Sequence, residues 1–357
     1  MKKLKKNNIK AIDFFCGGGG MSCGMQQAGI EVLAGIDYEP ACKDTYEENI
    51  KGAQFIQADV FELQASQLQE KLNLKQDDDN LLLIGCSPCQ FWSIINTDKS
   101  KSKKSKNLLV EFERFVKYFN PGYVVVENVP GVLRKKEESG LQAFIEWLEG
   151  NGFAVNFKVH NTNDYGVPQN RKRFTLLANR IGSKSIFPEK VGESKLTVRD
   201  VIGISNGFKE IEAGHKDKTD FMHSVSNISE LTERRLKKIS KDGGNRLDFK
   251  DDPDLQLKCF VGKDNSFKDT FGRLWWDRPA PTITTKFFSV SNGRFVHPEE
   301  NRALSLREGA TLQSFPLDYI FHGKSHAKIA RLIGNAVPPE YAKRIGKSII
   351  NNHMNAI

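Results

Sequence analysis

The sequence is poor in cysteine, with six residues in 357. That is too few for a disulfide framework in so long a chain, and the six read as reduced thiols. Long apolar runs are also missing. Leu81–Ile84 and Val124–Val126 are typical, far short of the ~20 residues of a membrane helix, so no membrane span is expected. The basic start MKKLKKNNIK leads into no apolar stretch with a small-residue cleavage site, so a cytoplasmic setting is expected rather than secretion. A single C-x-x-C, Cys86-Ser-Pro-Cys89, has no second pair at zinc spacing, and the seven histidines form no ligand pattern. No metal is therefore expected. There is no internal repeat. The N-terminal glycine cluster does not spell G-x-G-x-x-G, which weakens a nicotinamide reading.

Charge of both signs is plentiful, with a positive excess. The net +9 permits a polyanionic partner without requiring one. Residues 278–357 hold 11 basic and 5 acidic side chains, a net of +6; residues 181–277 hold 18 and 17, and residues 1–180 hold 24 and 22. Inside the near-neutral first half lies KSKSKKSK, Lys99–Lys106, five lysines with no acid. Such a run is either a solvated surface loop or, beside an active site, a loop that meets phosphates.

Strand and helix patterns alternate through the first half. Strands are predicted at Lys10–Phe15, Val32–Asp37, Phe55–Ile56, Leu81–Cys86, Tyr123–Glu127, Phe153–His160 and Arg173–Ala178. Helices are predicted to Ala28, near Glu39–Asn49, and at Leu108–Phe119 and Leu141–Gly150. That alternation implies βαβ units and a mostly parallel sheet. After residue 180 the pattern weakens into polar, Gly-containing segments, and helical signals return at Ala327–Ile333 and Glu340–Asn351.

Three places on this frame carry chemistry. The strand KAIDFF runs into CGGGG and a helix, which presents backbone N–H groups at the carboxyl edge of the sheet. Asp37 ends the next strand, where an acid can bind ribose hydroxyls, and Asp59 follows the third. This suits an adenosine-containing cofactor, the alternative being a tight turn without a ligand. Cys89 lies just past the apolar strand LLLIGC, placed to be a nucleophile, whereas Cys86 reads as a small buried hydrophobe. Glu127 and Asn128 end the adjacent strand YVVVEN. A thiol and a carboxyl at neighbouring strand ends suit attack on an electrophilic ring, and a structural ion pair is the plainer reading of Glu127.

Together these segments resemble the DNA (cytosine-5) methyltransferases of bacteria and phages. The resemblance rests on DFFCGGGG (Asp13–Gly20), SPCQ (Ser87–Gln90), ENV (Glu127–Val129), QNRKR (Gln169–Arg173), RPAPTIT and LSLREGATLQSFP (Arg278–Thr284, Leu304–Pro316), and GNAVPP (Gly334–Pro339), in the family's order. It spans residues 10–350. Cys-Ser-Pro-Cys stands where the family more often has Gly-Pro-Pro-Cys, with Pro88 and Cys89 intact.

The resemblance implies a Rossmann-like α/β domain that binds S-adenosylmethionine, residues 1–180 plus 325–357. It implies a smaller, irregular target-recognition domain at 181–324, its variable region at about 181–277. Cys89 would attack C6 of a flipped-out cytosine in duplex DNA, and Glu127 would hold N3 and the exocyclic amine. Arg171 and Arg173 would steady the base and its loops, and Asn128 would buttress the Cys89 loop. Phe15, Gly17, Gly19, Asp37, Asp59 and Asn335 would line the cofactor site. The lysine run follows Cys89, so Lys101, Lys103 and Lys104 are expected on DNA phosphates, with Ser93 a further contact. Cytosine C5 is a poor nucleophile until thiolate addition at C6 makes it enamine-like. A free thiol has a pKa of about 8.5, so positive charge beside Cys89 would help. Extruding the base costs a few kcal/mol.

The resemblance further implies a prokaryotic cytoplasmic enzyme that acts as a monomer and can be paired with a restriction endonuclease. Two alternatives stand beside it. One is a tRNA cytosine-5 methyltransferase on the same motifs, disfavoured because no Cys-Phe-Thr segment occurs late in the chain. The other is a catalytically silent DNA-binding protein of this fold, disfavoured by intact Cys89, Glu127, Arg171 and Arg173. Trp147 reads as core. Of Trp275 and Trp276, one reads as packing, and a DNA contact is the other reading.

Overall fold

The structure, a computed structural model, describes residues 8–87, 107–182, 184–192 and 195–356. Seven strands form one sheet: β1 (Lys10–Phe14), β2 (Glu31–Asp37), β3 (Gln54–Gln57), β4 (Leu81–Gly85), β5 (Tyr123–Asn128), β6 (Ala154–Asn161) and β7 (Lys172–Asn179). Their order is β3-β2-β1-β4-β5-β7-β6. The first five pair in parallel, whereas β7 runs antiparallel to both β5 and β6. LLLIG and YVVVEN are buried along their whole length, as expected of central parallel strands covered on both faces.

The helices are α1 (Gly20–Ala28), α2 (Lys43–Asn49), α3 (Ala65–Leu72), α4 (Leu108–Phe119), α5 (Leu141–Gly150), α6 (Glu230–Lys238), α7 (Leu306–Leu312), α8 (His326–Asn335) and α9 (Pro339–Ala356). In α4 the residues Leu109, Phe112, Phe115, Val116 and Phe119 recur at helical spacing and face the sheet. Phe14, at the end of β1, packs against Phe112 and Phe115 at ring separations of 5.4 and 4.7 Å, which fixes the strand end from which the glycine turn departs. The carboxyl-terminal helix α9 lies on α1. At Gly24 a built Cβ would come within 2.3 Å of the Pro339 carbonyl, so only glycine allows this approach.

The chain forms two compact units. The first holds Met1–Tyr165, Lys172–Lys190 and Val337–Ile357; the second holds Gly166–Arg171 and Val191–Ala336. The expected division differs from this at three places: residues 166–171 and 325–336 group with the second unit, and residues 181–190 with the first. The cause is local, because Arg171 ties its own segment to the end of α8, as described below.

Among the described residues the second unit has isolated bridges and short helices but no strand of the sheet. Irregular backbone leaves many carbonyls without ladder partners, and buried ones must still be satisfied. Buried arginines do this. Arg273, fully buried, donates to the carbonyls of Leu236, Ile239, His297 and Glu300. Arg302 forms a fork onto Glu308 at 2.7 and 2.9 Å and a second onto Glu300 at 2.8 and 3.0 Å. Burial alone would raise the Glu308 carboxyl, but the charge and hydrogen bonds of Arg302 outweigh it and hold it at about 2.

Candidate active site

The topology brings the predicted residues of the first unit to one edge. Strands β1 to β5 are parallel, so Phe15, Asp37, Asp59, Ser87 and Glu127 all sit at or beyond carboxyl ends. Strand β7 is reversed, so its start reaches that same edge. Its register sets Thr175 opposite Glu127 and Phe174 opposite Asn128. Arg173, one step further, lies with Nε 3.0 Å from Glu127 Oε1. Both side chains are nearly buried, and a carboxylate in that position requires a charged partner. The structural pairing weighed for Glu127 and its expected place at the site are thus compatible.

Strand β4 and the residues just past it, Cys86 and Ser87, reach the same edge. Asn128 donates from Nδ2 to Ser87 Oγ at 3.1 Å, and its Oδ1 accepts the N–H of Val129 at 2.8 Å. The Cys86 N–H donates to the Phe14 carbonyl, so the β4 exit is pinned on both sides. Burial pushes the Cys86 thiol well above the ordinary range, which suits a packing residue and not half of a redox pair. Cys89, Ser93, Lys101, Lys103 and Lys104 lie outside the described residues.

The glycine turn is conformationally demanding. Phe15, Gly17 and Gly19 all have left-handed φ, at 61°, 51° and 83°, and Phe15 adopts it without the freedom of glycine. The Gly17 N–H donates to Asp37 Oδ2 and the Glu39 N–H to Asp37 Oδ1, each at 2.9 Å. Asp37 thereby ties the turn after β1 to the exit of β2, with lone pairs left on both oxygens for hydroxyl donors. A Cβ built on Gly17 would meet nothing within 4 Å, so space adjoins the turn. Directly after Asp37 stands Tyr38, 72% exposed, an aromatic face that the sequence reading passed over. Asp59 accepts the Phe61 N–H at 3.1 Å and shapes the β3 exit. Beneath the turn, fully buried Asp13 accepts from Ser22 Oγ at 2.7 Å and its Oδ1 has no partner. An open space, a polar strand-edge acid and an exposed ring are a set of surroundings that fits an adenosine cofactor.

Two predicted residues belong to the second unit. Arg171, 2% exposed, donates from Nη1 to the Ile283 carbonyl at 3.0 Å and from Nη2 to the Gly334 and Ala336 carbonyls at 3.0 and 3.1 Å. Gln169 accepts the Ile283 N–H and donates to the Leu312 carbonyl. The motif segments QNRKR, RPAPTIT, LQSFP and GNAVPP, dispersed over 170 residues of sequence, therefore meet in one knot. Asn335 ends α8 and is exposed. Among the described residues no cluster of three or more His, Cys, Asp or Glu could hold a metal ion, and no helix is long and apolar enough to cross a membrane.

Comparison with known proteins agrees with this geometry. The family model for C-5 cytosine-specific DNA methylase matches residues 9–351. The Type II methylase M.HgiDII of Herpetosiphon aurantiacus is 38% identical over 95% of this chain and 94% of its own. The Type II methyltransferase M1.HphI of Haemophilus parahaemolyticus is 33% identical over 98% of this chain and 88% of its own. In fold alone, the solved structure of the Entamoeba histolytica methyltransferase EhMeth superposes with a TM-score of 0.65 at 14% identity, covering 96% of this chain and 98% of that one. The chain belongs to the family of C-5 cytosine-specific DNA methylases.

Proposed function

We propose that this enzyme transfers a methyl group from S-adenosylmethionine to C5 of a cytosine flipped out of one duplex DNA sequence, with Cys89 as nucleophile and Glu127 as the group that receives the base. The observation that supports the assignment is the Glu127–Arg173 pair at 3.0 Å, on the strand next to β4, with Asn128 bonded to Ser87 just past the end of β4. The cofactor supplies an electrophilic methyl carried on a sulfonium. The Cys89 thiolate adds to C6, and the electron pair displaced from the C5–C6 bond is accommodated at N3, where Glu127, having taken up a proton as the base enters, donates a hydrogen bond. C5 would then take the methyl from the bound cofactor, whose methyl–sulfur bond breaks with the electron pair left on sulfur as a neutral thioether. Loss of the C5 proton to a base and departure of the Cys89 sulfur restore the ring, with no net change at either residue.

Arg173 orients Glu127. Arg171 is assigned a positioning part, since its N–H groups serve the loops of its own unit. Phe15, Gly17, Gly19 and Asp37 form the cofactor floor, with Asp37 on the ribose, Tyr38 stacked on the adenine and Asp59 beside it. Lys101, Lys103, Lys104 and Ser93 meet phosphates. The stretch at 191–277, near neutral in charge, selects the sequence through base edges. The first unit carries cofactor and catalysis and the second carries recognition. The enzyme acts as a monomer in a prokaryotic cytoplasm, and the Type II names of its relatives support pairing with an endonuclease of the same specificity.

The test is transfer of labelled methyl to mixed-sequence duplex DNA and to bulk tRNA, with Cys89→Ser in parallel. Label on duplex cytosine that is lost in the variant is the expected result. Label on tRNA alone would move the activity to RNA. Cofactor binding without transfer to either would favour a silent DNA-binding protein.

A further inference from the structure

Trp275 is half-buried in the second unit with two guanidiniums over its indole, Arg294 at 3.9 Å and Arg278 at 4.5 Å from the ring centroid. The two arginines are otherwise unlike. Arg294 is 5% exposed and committed: Nε donates to Asp269 Oδ1 at 2.8 Å, and Nη1 donates to the carbonyls of Gly243 and Arg273 at 2.8 and 2.7 Å. Arg278 is exposed, and among the described residues no carboxylate or carbonyl accepts from its guanidinium. Its neighbour Asp277 and two further acids of the same unit are engaged with other groups. Asp277 holds Arg199 at 2.7 and 3.1 Å, Glu299 accepts from Trp276 Nε1, and Asp242 accepts from the Trp276 N–H.

The platform beneath Arg278 is rigid. Gly243 has φ +108°, and a Cβ there would come within 1.8 Å of the indole Nε1, so the ring lies flush on that backbone. The Arg278 carbonyl accepts the Val198 N–H at 3.0 Å, which pins its own backbone. The sequence thus spends an aromatic residue, a buried arginine and a left-handed glycine on orienting one cation that has no counter-ion. A planar fork of donors, held in place before binding, matches phosphate oxygens bidentately and loses little freedom on contact. An anion would also relieve the repulsion between two guanidiniums on one ring.

We propose that Arg278 is a phosphate clamp for DNA and that Trp275 is its positioning residue. This rests on duplex DNA being the substrate, as argued above. The test measures binding of a duplex containing the methylated site, and of an unrelated duplex, as a function of salt, together with methyl-transfer kinetics. Arg278→Gln should weaken both duplexes about three- to tenfold and lower the magnitude of the log–log salt slope by about one. It should raise KM for DNA while leaving kcat and S-adenosylmethionine affinity in place. Arg278→Lys should keep the slope and lose part of the affinity. Trp275→Leu should weaken binding in the wild-type background and add nothing to Arg278→Gln, a coupling that a merely structural tryptophan would not show.

Unchanged affinity and slope in Arg278→Gln would overturn the proposal. So would an unchanged slope with relaxed sequence preference, which would make Arg278 a reader of base edges. If the wild-type protein neither binds nor methylates duplex DNA, the functional reading itself fails, and that outcome is visible before any variant is compared.

Discussion

Replacing Asp13 by asparagine should stabilise the cofactor-free protein, and by an amount that grows with pH. Burial raises the Asp13 carboxyl from its ordinary 3.8 to about 7, the Ser22 hydrogen bond pulling it partly back and the charge of Asp37 adding to the rise. The folded chain therefore keeps its proton up to about pH 7, whereas the unfolded chain releases it near 3.8. Across that window the unfolded state binds fewer protons, so stability falls as pH rises. At about 1.4 kcal/mol per pH unit, the penalty is about 2 kcal/mol at pH 5 and about 4 kcal/mol above pH 7. Asparagine can still accept from Ser22 and has nothing to ionise. The advantage of the variant should accordingly widen by about 3 kcal/mol between pH 5 and pH 8. In urea unfolding followed by circular dichroism this is a relative midpoint shift of about 1 M. Parallel pH profiles for the two proteins would refute the reasoning, because they would mean that Asp13 ionises in the folded state as it does in the unfolded one.

Glu127→Gln should lower the single-turnover methyl-transfer rate by about 10²–10⁴ while leaving S-adenosylmethionine affinity intact, measured by rapid quench and calorimetry. Tyr38→Ala should weaken cofactor binding by about 1–2 kcal/mol in the same calorimetric assay, from lost stacking on the adenine. Glu308→Gln should cost about 3 kcal/mol of stability, since it takes one of two carboxylates from the buried Arg302 guanidinium and leaves Glu300 alone to balance it. In the wild-type protein the Glu308 contribution is present above its ordinary 4.5 and is lost as pH falls toward its folded value of about 2. Acid titration followed by tryptophan fluorescence should show that loss in the wild type and not in the variant.

The catalytic frame was legible because its signals are local. Apolar runs such as LLLIG and YVVVEN have no stable home except a doubly covered sheet, and the residues that follow them fall at one edge once the strands are parallel. What escaped the sequence reading lacked such a signal. The helices α3 and α6 bury only two and one residues, so neither shows a clear apolar stripe. Gly309 interrupts α7, where a Cβ would strike the Phe287 ring. Tyr38 looked like any exposed tyrosine until Asp37 was seen tying two strand exits beneath it. The positive balance of 278–357 does not tell where its charges sit: Arg294 and Arg302 belong to the interior, where they serve carbonyls and carboxylates. Arg171 was recognisable as important from its motif; that it braces two segments of the second unit, at Ile283 and at the end of α8, depends on contacts more than 100 residues away.

The packing of α9 on α1 bears on how the enzyme is made. All seven strands of the described residues have been synthesised by residue 179, yet the helix that covers α1 begins only at residue 339. Its anchors, Tyr341 on Thr175 and His353 on Tyr123, join the end of the chain to strands made long before. Between them the entire second unit must be translated. Closing so long a loop adds little to the entropy cost, since that cost grows only logarithmically with length, but it imposes an order on maturation. A nascent or truncated chain holds the glycine turn with its following helix uncovered. The first unit is thus completed only after the 191–336 segment exists, so synthesis does not pass through a finished first unit without the second.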